Sequence, residues 1–269
     1  MTCPTVMKPA PGQRLALRER PAQPFVMRQR WQDLLFLHWR CDPDVVQATL
    51  PPGLHVDTFD GCAWVAIVPF LMRRIRPRFC PRVPGISDFL EMNLRTYVHD
   101  DQGRPGVWFY SLECDLPLAV WIGRTLFHLP YQHADMSITR ATDDTIRYTS
   151  QRRGDSRVSE FIYRLEKETR HAGEGSLEFF LAERYLLYAN SPHGLRTGRV
   201  HHTPYPLCAV ALGGWDTRIF ELNGLPAPQT PPDHVIGSPG VDVSVYPLGG
   251  LAAISAKTGT PARPQPPAR

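Results

Sequence analysis

Lysine is scarce in this chain. Of the 30 basic residues only Lys8, Lys167 and Lys257 are lysine, leaving 30 − 3 = 27 arginines. A compositional bias of the genome is the simplest source of that count, but it also bears on mechanism. Lysine is the side chain whose pKa shifts readily enough for Schiff-base chemistry, whereas arginine stays charged and grips carboxylates through paired hydrogen bonds. Paired cysteines are also missing. Cys3, Cys41, Cys62, Cys80, Cys114 and Cys208 lie far apart, with no Cys-x-x-Cys and no zinc-ligand spacing, so buried free thiols fit better than a disulfide framework or a zinc knuckle. There is no Gly-x-Ser-x-Gly elbow, no Gly-x-Gly-x-x-Gly after a strand and no phosphate-binding Gly-x-x-x-x-Gly-Lys-Ser/Thr loop. No apolar run approaches the roughly 20 residues of a membrane-spanning helix. The first twelve residues carry prolines and no apolar core of a signal peptide. A cytoplasmic protein without a membrane partner is expected.

What is present is a proline-rich, strand-forming chain of 269 residues with a net charge of +4. A 42% hydrophobic content supplies a sizeable core. Residues 1–24 and 251–269 are proline-rich and read as poorly ordered tails, which leaves 25–250 as a single domain. The densest positive cluster is Arg73, Arg74, Arg76, Arg78 and Arg82, broken by Pro77, Pro81 and Pro84. With no stacking platform or recognition helix beside it, it reads as a solvated loop, and no nucleic-acid partner is expected.

Leu34–Cys41 reads as a strand. Asp42-Pro43 then supplies a helix cap and a first-turn proline, and Pro51-Pro52-Gly53 ends that helix. His55–Asp57 and Cys62–Phe70 read as strands around an Asp60-Gly61 turn. Leu90–His99 alternates, followed by a polar turn and a return strand Val107–Cys114. Leu116–Ile122 reads as a buried strand, and Met136–Arg140, Thr145–Gln151 and Val158–Leu165 as a meander. Ser176 caps an expected helix Leu177–Tyr188. Arg199–Pro204, Cys208–Trp215 and Val241–Pro247 complete a strand-rich C-terminal half. Many strands and few helices argue for a closed or nearly closed β-barrel or sandwich.

The alternation in Leu90–His99 sets Glu91, Asn93, Arg95 and Tyr97 on one face. That face either meets solvent or lines the interior of a barrel, and a small barrel has room for one ligand. In the second case a carboxylate and a guanidinium give a proton-exchanging group and an anion clamp. The segment Gly123–His133 contributes Arg124, Tyr131 and His133. An arginine there either binds backbone carbonyls or clamps an anion. His201 and His202 are neighbours, so they point to opposite faces of a strand and cannot chelate together. No metal and no cofactor are expected.

Two resemblances follow from these residues. Trp31–Trp39, Asp60–Val65, Glu91–Val98, Arg124–Tyr131 and His201–Leu207 occur in the order found in the YqjF-like family, a domain of unknown function numbered 2071, which the chain resembles over about Phe25–Pro247. More distantly, Trp39–Asp42, Leu50–Leu54, Phe89–Glu91 and Gly123-Arg124…Pro130 are similar to the acetoacetate decarboxylase superfamily. That likeness implies a mainly β, cone-shaped, double-layered antiparallel β-barrel with a few short helices around an apolar pocket. It also implies that Glu91 is a pocket glutamate, and it leaves a homo-oligomer open. In those decarboxylases the position after the proline holds the Schiff-base lysine; here it holds Tyr131, followed by Gln132.

The resemblance therefore implies a barrel pocket for a small carboxylate or carbonyl compound, bound without a Schiff-base lysine. Glu91 and Tyr131 are the candidate catalytic pair, and Arg95, Arg124, Asn93 and His133 the candidate binding residues. An enzyme of this type would be a lyase or hydratase working through enolisation, not a Schiff-base decarboxylase. A non-catalytic sensor or carrier and a structural interaction protein stay open beside it.

Overall fold

The computed structural model describes residues 6–250. The proline-rich 251–269 lies outside the described residues. The fold is mainly β, as expected. Its strands are β1 (Met27–Cys41), β2 (Leu54–Val56), β3 (Ala63–Pro77), β4 (Phe89–Asp100), β5 (Pro105–Cys114), β6 (Tyr131–Arg140), β7 (Ile146–Arg152), β8 (Ser159–Leu165), β9 (Leu186–Ser191), β10 (Gly194–His201), β11 (Val210–Gly214), β12 (His234–Val245) and β13 (Gly249–Gly250). The helices are short: α1 (Pro11–Ala16), α2 (Pro43–Gln47), α3 (Pro117–Leu126), α4 (Leu177–Ala182) and α5 (Arg218–Glu221).

Strand pairing closes a ring. Going round it, β4 pairs β5, β5 pairs β9, and the path returns through β10, β12, β1 and β3 to β4. Two contacts of β5 are parallel: with β9 at Val107 and Trp108, and with β6 at Leu112–Cys114. From β6 a second layer runs outward through β7 and β8 to β11.

Alternation explains why both faces of the ring strands are apolar. In β1, β3 and β5 the residues Phe36, Ala66, Val68, Phe70, Val107 and Leu112 belong to an inner core. Their neighbours Leu35, Leu37, Val65 and Ile67, with Met92 and Leu94 of β4, pack instead against Tyr148, Phe161 and Tyr163 of the outer layer. A strand buried on both sides loses the polar-out signature of a surface strand. Outer-layer phenols also cap ring backbone: Tyr148 donates to the Glu91 carbonyl at 2.9 Å and Tyr163 to the Asp33 carbonyl at 2.8 Å.

Two local devices shape the ring. Asp60 and Gly61 both have positive φ (49° and 79°), which closes a tight turn between Phe59 and Cys62. The strands beside it do not pair with each other, because β2 joins β4. Gly240 (φ 133°) lies opposite a register shift in β1, and a Cβ there would sit 2.2 Å from the Trp31 carbonyl oxygen.

Three sequence expectations are corrected. Leu116–Ile122 is not a strand: Pro117–Leu126 forms α3, with Pro117 in its first turn. Its Val120 and Gly123, three apart, face inward, while Leu118, Trp121 and Leu126 are exposed. A short apolar run does not separate strand from helix by itself. The helix capped by Ser176, whose side chain accepts from the Phe179 amide, ends at Ala182 rather than Tyr188. The residues after it are recruited into β9, where pairing with β10 and β5 overrides helix propensity. Within the segment read as an N-terminal tail, α1 forms and is tied down by polar contacts: the Arg14 guanidinium reaches both oxygens of buried Asp57, at 2.9 and 2.8 Å.

Candidate functional site

β4 places Glu91, Asn93, Arg95 and Tyr97 inside the ring, so the solvent-facing alternative does not hold. Their relative exposures are 2%, 4%, 9% and 0%. The inward direction is fixed by the strand partners, which pair Glu91 with Cys114, Asn93 with Leu112, Arg95 with Phe109 and Tyr97 with Val107. Cys114, Leu112 and Val107 are all inner-core residues.

Tyr131 meets Glu91 there. Its hydroxyl donates a buried 2.7 Å hydrogen bond to Glu91 Oε2. Burial pushes the Glu91 carboxyl up to about 7, and hydrogen bonds from Tyr131 and Asn93 hold it lower than burial alone would. The Tyr131 phenol is pushed well up, by burial first and by the neighbouring Glu91 second. Desolvation thus leaves a carboxyl group near its half-titration point at neutral pH, as proton exchange requires.

The Gly-Arg…Pro-Tyr segment is the device that places this phenol. A Cβ on Gly123 would sit 2.2 Å from Cδ2 of the Tyr131 ring, so the ring lies flat where α3 has no side chain. The Leu129 amide donates to the Gly123 carbonyl at 3.1 Å, and the Pro130 carbonyl accepts from the Leu112 amide at 3.1 Å. Arg124 Nε donates to the Tyr131 carbonyl at 2.6 Å, and its Nη2 donates to Gln132 Oε1 at 3.0 Å.

Arg95 is the second focus. Among the described residues its side chain makes no hydrogen bond and no ion pair, and its buried Nε has no partner. Its guanidinium lies over Phe36 and Tyr97, with Cζ 5.5 and 5.7 Å from the ring centroids. Asn93 Oδ1, Trp64 Nε1 and His202 Nε2 are also buried without a partner. The inner surface therefore offers one unpaired cation and several unused hydrogen-bonding atoms.

The remaining sequence candidates lie apart from this focus. Arg124 is exposed and holds backbone, the first of the two roles weighed for it. His133 is half-buried, pairs with Cys114 across β5 and β6, and interacts electrostatically with Asp115. Lys8 is exposed, and Lys167 is exposed in a cleft of about 850 Å³ on the outer layer that includes Thr142, Asp143 and Arg170. Lys257 lies outside the described residues.

Sequence reasoning missed a polar line through the β1–β12 wall. His38 Nε2 lies 3.0 Å from the Tyr97 hydroxyl, and His38 Nδ1 lies 3.3 Å from Nδ1 of half-buried His234. It also missed Arg184, fully enclosed, which donates to Asp57 at 2.7 Å and covers the rings of Phe180 and Tyr97. These partners are far apart in sequence and carry no shared motif. Among the described residues no three His, Cys, Asp or Glu side chains gather closely enough to hold a metal ion. No helix among them is long and apolar enough to cross a membrane.

Comparison with known proteins agrees with this architecture. The model of the family DUF2071, described as an uncharacterized conserved protein, matches residues 28–242. The uncharacterized protein YqjF of Bacillus subtilis (strain 168) is 37% identical over 209 residues, covering 77% of this chain and 86% of that protein. Among solved structures, acetoacetate decarboxylase from Legionella pneumophila superposes with a TM-score of 0.58 at 14% identity, over 86% of this chain and 90% of that one. The enduracididine biosynthesis enzyme MppR, solved in complex with pyruvate, superposes with a TM-score of 0.54 at 17% identity, over 86% and 91%. At those identities the likeness is one of fold.

Proposed function

The chain belongs to the DUF2071 family of uncharacterized conserved proteins, and on that premise we propose that its ring interior binds a small carboxylate or carbonyl compound through polar contacts, without a covalent link to lysine. The observation that carries this reading is Arg95: a buried arginine whose guanidinium pairs with no anion of the described residues. A ligand carboxylate supplies the missing charge and accepts its hydrogen bonds in pairs. The pyruvate complex of MppR, a protein of the same fold, makes a short 2-oxo acid the natural first probe.

Arg95 and Glu91 stand four residues apart on β4, roughly 13 Å along the strand, so a ligand held by Arg95 at its carboxylate reaches Glu91 and Tyr131 only with a carbonyl several carbons further along its chain. The Tyr131 hydroxyl turns from Glu91 to the carbonyl oxygen. Glu91, ionised, takes a proton from the carbon next to that carbonyl, and the electron pair of the broken C–H bond forms the enolate stabilised by Tyr131. Return of the proton to the same carbon completes an exchange; loss of a leaving group from the neighbouring carbon gives a lyase or hydratase outcome. No cofactor enters these steps.

The test is exchange of the protons beside the ketone, in heavy water and followed by NMR, across keto acids of increasing carboxylate-to-ketone length, with pyruvate as the short member. Exchange dependent on the protein, abolished in Glu91→Gln while the same keto acid still raises the melting temperature, supports catalysis. A second reading, a sensor or carrier, has its own support: the pair lacks a lysine, and Tyr131 and Glu91 already satisfy each other. Thermal stabilisation without exchange selects that reading, because a ligand bound only by the native state stabilises it.

A further inference from the structure

A cleft of about 480 Å³ opens in the wall of the ring where β6 and β9 part. Both strands pair with the same edge of β5, β9 at Val107 and Trp108 and β6 at Leu112–Cys114, so residues 109–111 have no strand beside them on that edge. A register shift on the other edge falls at the same place: Leu94 pairs with Ser111 but Arg95 with Phe109, leaving Tyr110 as the extra residue of a bulge.

The cleft is lined from both sides of the wall. Its outer lining includes exposed Thr49 and Asn190 and the ring of Tyr110, whose hydroxyl bonds Thr49 at 2.7 Å. Its inner lining includes Phe109, Leu129 and Ala189, which pack with the inner core. Phe109 is the cross-strand partner of Arg95, so the two side chains leave the sheet on the same face, side by side. Arg124 and His128 also line the cleft.

We infer that a small anion enters the ring sideways through this gap, with half-buried Phe109 as the side chain that turns aside and Arg124 as the charge that draws the anion in. The inference deepens the proposed function by naming the route and the charge selectivity of that same site. The route stands on the parting of β6 and β9 and on the cleft, and only its physiological cargo rests on the reading of Arg95. It also gives the exposed Arg124 a task beyond holding the Tyr131 carbonyl. A cationic mouth raises the arrival rate of anions and loses that advantage in salt.

The experiment places a thiol inside and blocks the gap from outside. Asn93→Cys puts the reporter on the inner face. Two methanethiosulfonate reagents of similar size, one carrying a sulfonate and one a quaternary ammonium, are applied, and each site is read by peptide mass spectrometry. The sulfonate is expected to label the inner thiol faster than the ammonium reagent, and the difference to shrink in high salt. Adding Asn190→Trp or Thr49→Trp is expected to slow that labelling by about tenfold, equivalent to about 1.4 kcal/mol. Lys167→Trp on the outer layer is expected to leave it unchanged. Equal rates with the gap blocked, a preference for the cationic reagent, or no labelling of the introduced inner thiol overturns the route. Gap-dependent labelling by a chain that pyruvate does not stabilise upholds the route and tells against the proposed function.

Discussion

Tyr131 donates its hydroxyl proton to Glu91 across 2.7 Å of buried space, joining the N-terminal end of β6 to the inner face of β4. The bond favours the ionised carboxylate, while burial favours the neutral acid more strongly. Tyr131→Phe is therefore expected to move the Glu91 carboxyl above its value of about 7. Infrared titration of the protonated carboxyl band, with Glu91→Gln as the blank, measures it; an unchanged or lower midpoint contradicts the assignment.

The same carboxyl sets a pH dependence of stability. Its folded value is raised, from 4.5 to about 7, so the folded chain holds the proton more tightly. The associated stabilisation is complete below the unfolded value and is lost as pH rises through 7. Glu91→Gln abolishes that loss, so relative to the unsubstituted chain it gains up to about 3 kcal/mol between pH 4.5 and pH 8, at 1.36 kcal/mol per unit. Urea denaturation at both pH values reads the difference. A variant whose stability tracks the unsubstituted chain across this window shows that Glu91 is not buried as a titrating acid.

Histidines act with the opposite sign. His38 and His234 are depressed by burial first, and His202 is pushed down to about 4 by the same cause. Their unfolded forms take up protons that the folded forms resist, so stability is intact above about 6.5 and declines as pH falls from there towards 4. His202→Phe, which keeps a ring against Tyr185 and Tyr205, is expected to flatten this decline. Melting temperatures between pH 7 and pH 4 check it, and an equally steep decline in the variant refutes it.

Gly123→Ala tests the seat of Tyr131. A methyl group there meets the tyrosine ring at 2.2 Å, closer than real Cβ contacts come, so α3 or the ring must shift. Overpacking of this kind typically destabilises by about 1–3 kcal/mol. Denaturant midpoints report the loss, and adding Gly123→Ala to a Tyr131→Ala chain is expected to cost far less than adding it to the unsubstituted chain. An equal cost in both backgrounds places the clash elsewhere.

Much of the fold was legible because strands and turns carry local signals. Asp42 and Pro43 marked α2, Asp60-Gly61 marked its turn, and the alternation through Leu90–Val98 correctly sorted Glu91, Asn93, Arg95 and Tyr97 onto one face. Which way that face pointed was not local information. It depends on ring closure by β5 and β9, strands far apart in sequence. The same limit explains α3: Leu116–Ile122 is apolar enough for either structure, and the choice is made by Pro117 and by Tyr131 filling the space over Gly123. Glu91 and Tyr131 were recognisable as candidates from the resemblance, but Arg124 was not separable from Arg95, since only burial distinguishes a backbone-holding guanidinium from an unpaired one.

The unpaired state of Arg95 is the point on which the account turns. An apolar residue of similar length at that position removes a buried charge without leaving a partner exposed, so Arg95→Met is expected to be as stable as the unsubstituted chain or more so. Calorimetric titration of both proteins with a panel of short 2-oxo acids, pyruvate included, tests the claim most directly. The account predicts saturable one-to-one binding by the unsubstituted chain and none by a folded Arg95→Met; equal binding by both proteins, or none by the unsubstituted chain across the panel, contradicts it.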